Sequence, residues 1–264
     1  MNYDLAPLLE GWDYTTGETV ARMITGVDGR EKVQLRLDLG VLQMELDGRP
    51  DGQKVEGRDS LLDHFRAQAQ EFEERQTEEL TFKLDNEDCS RLHAEAVQYY
   101  HRYVALFHLR DWKRVIRDTQ RNLALFDFVE DHAEHPMLTW SFQQFRAYVI
   151  NLRTRAQAQV CLDDQQVTAA VALINEGIDE IRGFFRRHRR EELIPQSGEI
   201  RSLEEWREKL LRAVPTTKLN IPMPEPLTER LRFEKALEEA IAREDYEAAA
   251  ALRDSIRQMD ASST

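Results

Sequence analysis

The chain has 264 residues, of which 41% are hydrophobic and 32% are charged, and its net charge is −13. This composition predicts a globular protein with one large domain and a small additional module. The negative charge disfavours an autonomous nucleic-acid-binding protein, because basic side chains that neutralise phosphates supply most of the nonspecific affinity. No apolar run approaches the ~20 residues that a membrane-spanning helix needs.

The N-terminal residues and the cysteines predict a cytoplasmic protein. The first residues, MNYDLAPLLEG, lack the basic segment and the apolar core of a signal peptide. The two cysteines, Cys89 and Cys161, lie in helix-like segments without the spacing of metal ligands. We therefore expect reduced core thiols.

Residues 1–58 are predicted to form a small β element. Val20–Thr25 is rich in β-forming residues, and Asp28-Gly29 supplies a hairpin turn before the apolar and polar alternation that starts at Val33. After Gly40 the alternation shifts by one residue, which predicts a β-bulge or a bend. The turn-rich loop at residues 47–52 contains two aspartates, but no further ligands follow at EF-hand offsets, so a calcium site is disfavoured.

Residues 59–214 change to a helical period and are predicted to form the body of the protein. We expect helices at residues 60–79, 88–109, 112–132, 137–162, 167–190 and 202–214. Ser202 and Glu205 have the spacing of a capping box at the start of the last helix.

Two tight acidic turns divide this helical body. Arg110-Asp111-Trp112 and Leu162-Asp163-Asp164 are about fifty residues apart, and each joins two long helices. The pattern resembles a tetratricopeptide-type stack, although the period exceeds that family's repeat length. An ordinary antiparallel helical bundle is the alternative. The fold class is therefore mostly α with a small N-terminal β element, a helical-repeat-like body and a C-terminal helical hairpin.

A proline-rich linker is predicted at residues 215–226, just before the C-terminal segment 227–264. Four of the chain's eight prolines fall at or near it. Such stretches resist helix formation and act as stiff, extended spacers. Either the linker separates the C-terminal segment from the body, or it packs flat on the body.

Residues 227–264 contain two short amphipathic stretches around a corner at Glu244-Asp245-Tyr246. Phe233, Leu237 and Ile241 share one helical face, and a second apolar stripe follows the corner. Asp245 is placed to cap the second helix. The segment has few large apolar side chains, and burying them scarcely offsets the conformational entropy that is lost when the segment becomes ordered. We therefore expect the hairpin to pair with a second one.

This segment resembles the UVR motif, the helical hairpin at the C-terminus of the UvrB and UvrC nucleotide-excision-repair proteins. The matching positions are Leu237, Ala240, Glu244, Asp245, Tyr246, Glu247, Ala249, Ala250, Leu252, Arg253, Asp254 and Ile256. The resemblance implies a protein–protein contact made by Phe233, Leu237, Ile241, Asp245, Tyr246, Leu252, Arg253 and Ile256. Ala248 and Ala251 depart from the family, which often carries charged residues at these two positions.

A search for catalytic motifs gives no P-loop, dinucleotide-binding glycines, HExxH or nucleophile elbow, nor the helicase and nuclease motifs of UvrB and UvrC. His132 and His135 have a spacing that two zinc ligands can share, but they also suit an exposed helix end. We expect no catalytic residue, no metal and no cofactor.

One dense basic run follows Phe184-Phe185. Its arginines are Arg182, Arg186, Arg187, Arg189 and Arg190. Three interpretations stay open at this point: a nucleic-acid contact, a site for an acidic protein, or a solvated helix end that is followed by two glutamates.

The sequence thus predicts a bacterial, non-enzymatic adaptor whose partner is another protein, either one with its own UVR-type hairpin or a second copy of this chain. Neither nucleic acid nor a membrane is expected as a partner. The alternatives are a regulator of a stress protease or kinase, a DNA-repair accessory that contacts nucleic acid through Arg186–Arg190, and an enzyme with a metal at His132 and His135.

Overall fold

The structure is a computed structural model that describes residues 4–75, 81–212 and Arg253. The chain divides into two units, Met1–Leu219 and Asn220–Thr264. All the elements below belong to the first unit. The predicted linker and, apart from Arg253, the predicted hairpin lie outside the described residues.

A three-stranded antiparallel sheet forms the N-terminal part, with the strand order β1-β2-β3. The strands are β1 Val20–Thr25, β2 Glu31–Leu37 and β3 Gly40–Glu45. The predicted Asp-Gly turn joins the first pair: Gly29 has a φ of 74°, and the Gly26 N–H donates to the Arg30 carbonyl at 2.8 Å. The small N-terminal β element is therefore confirmed.

The shift in alternation at Gly40 is a hairpin, and the predicted bulge or bend is wrong. Leu37 pairs with Gly40 across a two-residue turn that contains the 96% exposed Leu39. Because the chain reverses there, Leu42 lies opposite Leu35 on the neighbouring strand. The two apolar stripes thus belong to two paired strands rather than to one kinked strand.

The N-terminal segment lies against arginines of the sheet. It contains a short helix, α1 Ala6–Leu9. The Trp12 ring lies 3.9 Å from the guanidinium carbon of Arg22, and the Tyr14 ring lies 5.2 Å from that of Arg36. Cation–π contacts of this kind hold an aromatic residue over a charged strand face.

The described residues of the body contain seven longer helices: α2 Leu61–Arg75, α3 Asn86–His108, α4 Trp112–His132, α5 Pro136–Gln143, α6 Arg146–Asp163, α7 Val167–Arg187 and α8 Gly198–Arg212, with a 3₁₀ helix at Glu191–Gln196 before α8. Helix α3 packs on the sheet and on α4, α4 packs on α6, α6 on α7, and α7 on α8. This order confirms the mostly α fold class, whereas membership of the tetratricopeptide class stays a prediction.

Three helix ends share the same left-handed cap. Arg110, Gln165 and Arg189 have φ values of 61°, 61° and 54°. In each case the next N–H donates to a carbonyl five residues back, which closes the helix end as a Schellman motif. The bonds are Asp111 to Leu106 at 2.9 Å, Gln166 to Cys161 at 2.7 Å and Arg190 to Phe185 at 2.8 Å.

The two predicted acidic turns are joined by a side-chain hydrogen bond. The Trp112 Nε1 donates to Asp163 Oδ2 at 3.1 Å, although the two residues are 51 positions apart. The α3–α4 and α6–α7 hairpins therefore have their turns at the same end of the helical array.

The predicted helix at residues 137–162 is wrong in one respect, because it is broken into α5 and α6. Buried Gln143 ends α5, and its Nε2 donates to the Phe126 carbonyl at 3.2 Å and to Glu130 at 2.7 Å. Arg146 begins α6 and donates its Nε to Gln143 Oε1 at 2.6 Å. These tertiary bonds to α4 hold the break, and the local sequence contains no proline or glycine that would mark it.

The predicted capping box of the last helix is also wrong. Helix α8 begins earlier than predicted, and the Oγ of Ser197 accepts a hydrogen bond from the Ile200 N–H at 3.2 Å. Ser202 lies inside the helix, where its Oγ donates to the Glu199 carbonyl at 2.9 Å. Glu205 consequently belongs to the middle of α8 and not to its first turn.

Candidate interaction surfaces

The predicted hairpin contacts belong to the C-terminal segment, of which the structure describes Arg253. Phe233, Leu237, Ile241, Asp245, Tyr246, Leu252 and Ile256 lie outside the described residues. Arg253 is helical, and its side chain is exposed.

The basic run at the end of α7 contains an arginine that is ion-paired with carboxylates and three exposed arginines that are not. Arg182 forms an ion pair with Glu204 of α8 at 2.8 Å and lies 3.4 Å from Asp179. Arg186, Arg187 and Arg189 are exposed, and none of them has an ion pair with a carboxylate among residues 4–75 and 81–212. Three cations thus face solvent within four positions.

The end of the run is fixed on α5 by an aromatic contact. The guanidinium carbon of Arg190 lies 4.7 Å from the ring centroid of the half-buried Trp140. Arginine–indole stacking of this kind orders the arginine side chain. The structure therefore brings the basic run together with a tryptophan that the sequence analysis did not consider.

His188 connects the run to α4. Its ring lies 4.7 Å from that of Phe184, and its Nε2 lies 3.6 Å from a Glu130 oxygen. Burial lowers the pKa of His188, and the neighbouring arginines act in the same direction, whereas Glu130 opposes them. The neutral imidazole is therefore favoured, and it adds no positive charge to the surface near neutral pH.

An exposed methionine extends this surface along α5. Met137 is 65% exposed and precedes Trp140 by three residues, so both lie on one side of the helix. We call Met137, Trp140, Arg186, Arg187, Arg189 and Arg190 the α5–α7 surface. In the sequence, the apolar part of this surface is indicated by Met137 and Trp140, two large apolar residues at i and i+3 directly after Pro136.

A second group of charged residues is buried and holds the sheet on the helices. Arg102 of α3 and Asp118 of α4 are both 1% exposed and form a bidentate pair at 2.7 and 2.9 Å. The Nη1 of Arg102 also donates to the Glu45 and Gly48 carbonyls at 2.9 and 2.8 Å. One guanidinium thus binds two helices and the end of β3 together, which is a structural use of a buried charge.

Glu95 performs the same task at the start of α2. It accepts hydrogen bonds from the Leu61 and Leu62 N–H groups at 2.8 and 3.4 Å and pairs with Arg121. A carboxylate at a helix N-terminus is favoured because the free N–H groups and the helix dipole are positive there. The guanidinium carbons of Arg121 and Arg102 lie 4.1 and 4.8 Å from the centroid of the Tyr99 ring.

A third polar junction joins α6 to α8. The Nε of buried Arg155 donates to Asn151 Oδ1 at 3.0 Å, and its Nη2 donates to the Ser202 carbonyl at 3.2 Å. Arg155 has no ion pair with any carboxylate among the described residues, and its Nη1 has no hydrogen-bond partner there. Burial lowers the pKa of Arg155 to about 10.

Neither of the two metal hypotheses gains support from the described residues. His132 packs its ring against Phe128 and Phe82, at centroid distances of 4.4 and 5.6 Å. In the 47–52 loop, Asp47 pairs with Arg117 at 2.6 Å and Asp51 with an arginine two residues away. In the described parts of the chain, no group of three or more ligand-type side chains is placed to hold a metal ion.

The comparisons with known proteins bear on the C-terminal unit. Residues 231–262 match the UvrB/uvrC motif. No curated protein and no solved structure matches the chain. The resemblance deduced from the residues is therefore confirmed, at the C-terminal position where it was expected. Within residues 4–75 and 81–212, none of the helices is long and apolar enough to cross a membrane.

Proposed function

We propose that this protein is a non-enzymatic adaptor that holds a partner protein through its UVR segment. The observation that carries the proposal is the match of residues 231–262 to the UvrB/uvrC motif. The UVR motif mediates protein contacts in the repair proteins from which it takes its name. The proposal places partner binding in the C-terminal unit and assigns the helical body a second, separate role.

The sequence pattern of the segment supports this assignment. Leu252 and Ile256 are four residues apart and share a helical face of the predicted second helix. A stripe of so few apolar side chains gains its stability by packing on a second hairpin. The partner is therefore a protein with its own UVR-type hairpin, or a second copy of this chain.

The body supports the non-enzymatic part of the proposal. Among its buried charged side chains, Arg102 donates to Asp118 and to the Glu45 carbonyl, and Glu95 accepts from the Leu61 N–H group. Their hydrogen-bonding capacity is used within the fold rather than presented to a substrate. We assign them to structure and not to chemistry.

A pair of matched substitutions tests the proposal. Leu252→Asp puts a charge on the apolar stripe, whereas Ala251→Asp puts the same charge on the same predicted helix at an outer position, where the UVR family often carries a charged residue. We expect full-length Leu252→Asp to lose its captured partner in affinity purification from the native host, and Ala251→Asp to retain it. Equal capture by both variants would contradict the proposal.

The identity of the captured protein then decides the cellular role. Recovery of an excision-repair protein supports a link to nucleotide excision repair, whereas a protease or kinase supports stress regulation. Self-association alone appears as a change in mass of the full chain by light scattering, and Leu252→Asp should reverse it.

A further inference from the structure

We propose that the α5–α7 surface is a docking site for an acidic segment of a protein that also carries apolar side chains. This proposal goes beyond the adaptor function proposed above, because the α5–α7 surface lies in the helical body and not in the UVR segment. Three observations carry it: the unpaired arginines, the fixed Arg190–Trp140 pair and the exposed Met137.

The positive charge of this surface is not neutralised within the described body. Some other arginines near the surface are held by carboxylates, as Arg114 is by Asp111 at 2.6 Å and Arg182 by Glu204 at 2.8 Å. Others, such as Arg58, Arg66 and Arg201, are exposed at separate positions of the sequence and not as a cluster. Arg186, Arg187 and Arg189 are exposed without such partners among the described residues. A guanidinium presents a fork of donors that matches a carboxylate in two hydrogen bonds, so these side chains fit acidic groups.

The apolar part of the surface selects the kind of acidic ligand. Met137 is 65% exposed, and a flexible methionine side chain adapts to varied apolar partners. It lies one helical turn from Trp140, whose ring contacts Arg190 at 4.7 Å. An acidic segment with interspersed leucine or phenylalanine would place carboxylates on the arginines and apolar groups on Met137.

The same surface is a poor platform for single-stranded nucleic acid. Binding of that kind uses aromatic faces on which bases stack. The Trp140 ring is already covered by Arg190 and lies 6.4 Å from the His188 ring. In addition, the net charge of −13 repels a long polyanion, whereas a short acidic segment experiences mainly the nearby arginines.

The test measures fluorescence anisotropy of a labelled short peptide of alternating glutamate and leucine with the full-length protein at low salt. The test variant is Arg186→Gln, Arg187→Gln, Arg189→Gln. The control variant neutralises three other exposed arginines: Arg58→Gln, Arg66→Gln, Arg201→Gln. Both variants change the net charge equally, so a general charge effect acts on both.

We expect the test variant to weaken peptide binding roughly tenfold, since each exposed ion pair contributes a modest amount and three are lost. The control variant should bind like the unchanged protein, and a peptide with glutamine in place of glutamate should not bind. Met137→Ser should weaken binding of the leucine-containing peptide but not of an all-glutamate peptide. Should the test variant unfold, Arg186→Gln with Arg187→Gln leaves the turn at residue 189 intact and carries the same expectation.

Several results would overturn the proposal. They are absence of peptide binding at low salt, equal weakening by the test and control variants, and binding of a thymidine oligonucleotide at least as tight as that of the peptide. The last result would assign the surface to nucleic acid. All of these results are independent of the Leu252→Asp experiment, because none of the substitutions touches residues 231–262.

Discussion

The two ends of the helical body are fastened by buried arginines in opposite ways. At the N-terminal junction, Arg102 is paired with Asp118 through two hydrogen bonds and also holds two backbone carbonyls. At the C-terminal junction, Arg155 is 3% exposed but bonds only to an amide oxygen and a carbonyl. A buried arginine can thus be neutralised by a carboxylate, or it can be hydrogen-bonded only to uncharged groups.

The difference has an electrostatic consequence. A buried cation without an ion-paired carboxylate keeps much of its desolvation cost, and for this reason the pKa of Arg155 is lowered to about 10, although the charge of Glu205 acts in the opposite direction. At the other end, the paired Arg102 is expected to contribute to the specific docking of the sheet. Removal of its partner Asp118 is expected to destabilise the protein strongly. We expect substitutions at the two junctions to differ accordingly.

The largest expected effect comes from making the first junction resemble the second. Asp118→Leu leaves Arg102 buried without its carboxylate, and we expect the free energy of unfolding to fall by about 3–5 kcal/mol. Urea denaturation of the two proteins measures this difference.

A double variant separates the loss of the pair from the loss of packing. Arg102→Met with Asp118→Leu removes both charges, and it should recover a large part of the stability lost in Asp118→Leu. If the double variant is less stable than Asp118→Leu, the stranded charge is not the cause.

The next largest effect is expected at the close contact between α6 and α7, in the half of the body that lacks a buried ion pair of this kind among the described residues. At Gly177 of α7, an added Cβ would lie 2.6 Å from Thr154 Cγ2 and 2.9 Å from its Cβ, both on α6. We expect Gly177→Ala to destabilise the protein by about 1–3 kcal/mol through overpacking. Gly183 of the same helix has no atom within 4 Å of an added Cβ, so Gly183→Ala should raise the melting temperature slightly.

A smaller effect is expected when the unpaired arginine itself is removed. Arg155→Met takes away a charge that has no carboxylate partner among the described residues, so the lost hydrogen bonds are partly offset by the relieved desolvation cost. We expect a decrease in unfolding free energy of at most about 1 kcal/mol. A loss as large as that of Asp118→Leu would show that the two junctions are alike.

The smallest effect concerns acid. Burial lowers the pKa of His101 in α3 below its ordinary value of 6.5. The unfolded chain therefore binds the proton first as the pH falls through 6.5, and stability decreases from there downward. His101→Gln should make the decrease in unfolding free energy shallower between pH 7 and about 5, as urea titrations at several pH values would show. An unchanged slope would exclude His101 as a contributor.

The sequence pattern was sufficient where local preferences decide the structure. The β-forming residues located β1 at Val20–Thr25, the helical periodicity located α4 at Trp112–His132, and Asp28-Gly29 located the first hairpin. Where tertiary bonds decide, it failed: the break after Gln143 depends on bonds to α4, and the start of α8 depends on Ser197 rather than on Ser202.

The candidate surfaces also differ in whether local sequence or tertiary contacts reveal them. The basic run was visible because its charges are consecutive, and the UVR segment was visible because its spacing is that of a known hairpin. Trp140 and Met137 could not be assigned to the basic run, since they lie 50 and 53 positions before Arg190 in sequence. The Arg102–Asp118 pair was equally hidden, because nothing local distinguishes a buried arginine from an exposed one.

The central claim is that the UVR segment, and not the body, captures the main partner. Hydrogen exchange of the full-length protein, with and without the captured partner, tests this most directly. The account predicts slower exchange within residues 231–262 on binding. Protection confined to the sheet or to helices α2 to α8, with residues 231–262 unchanged, would contradict it.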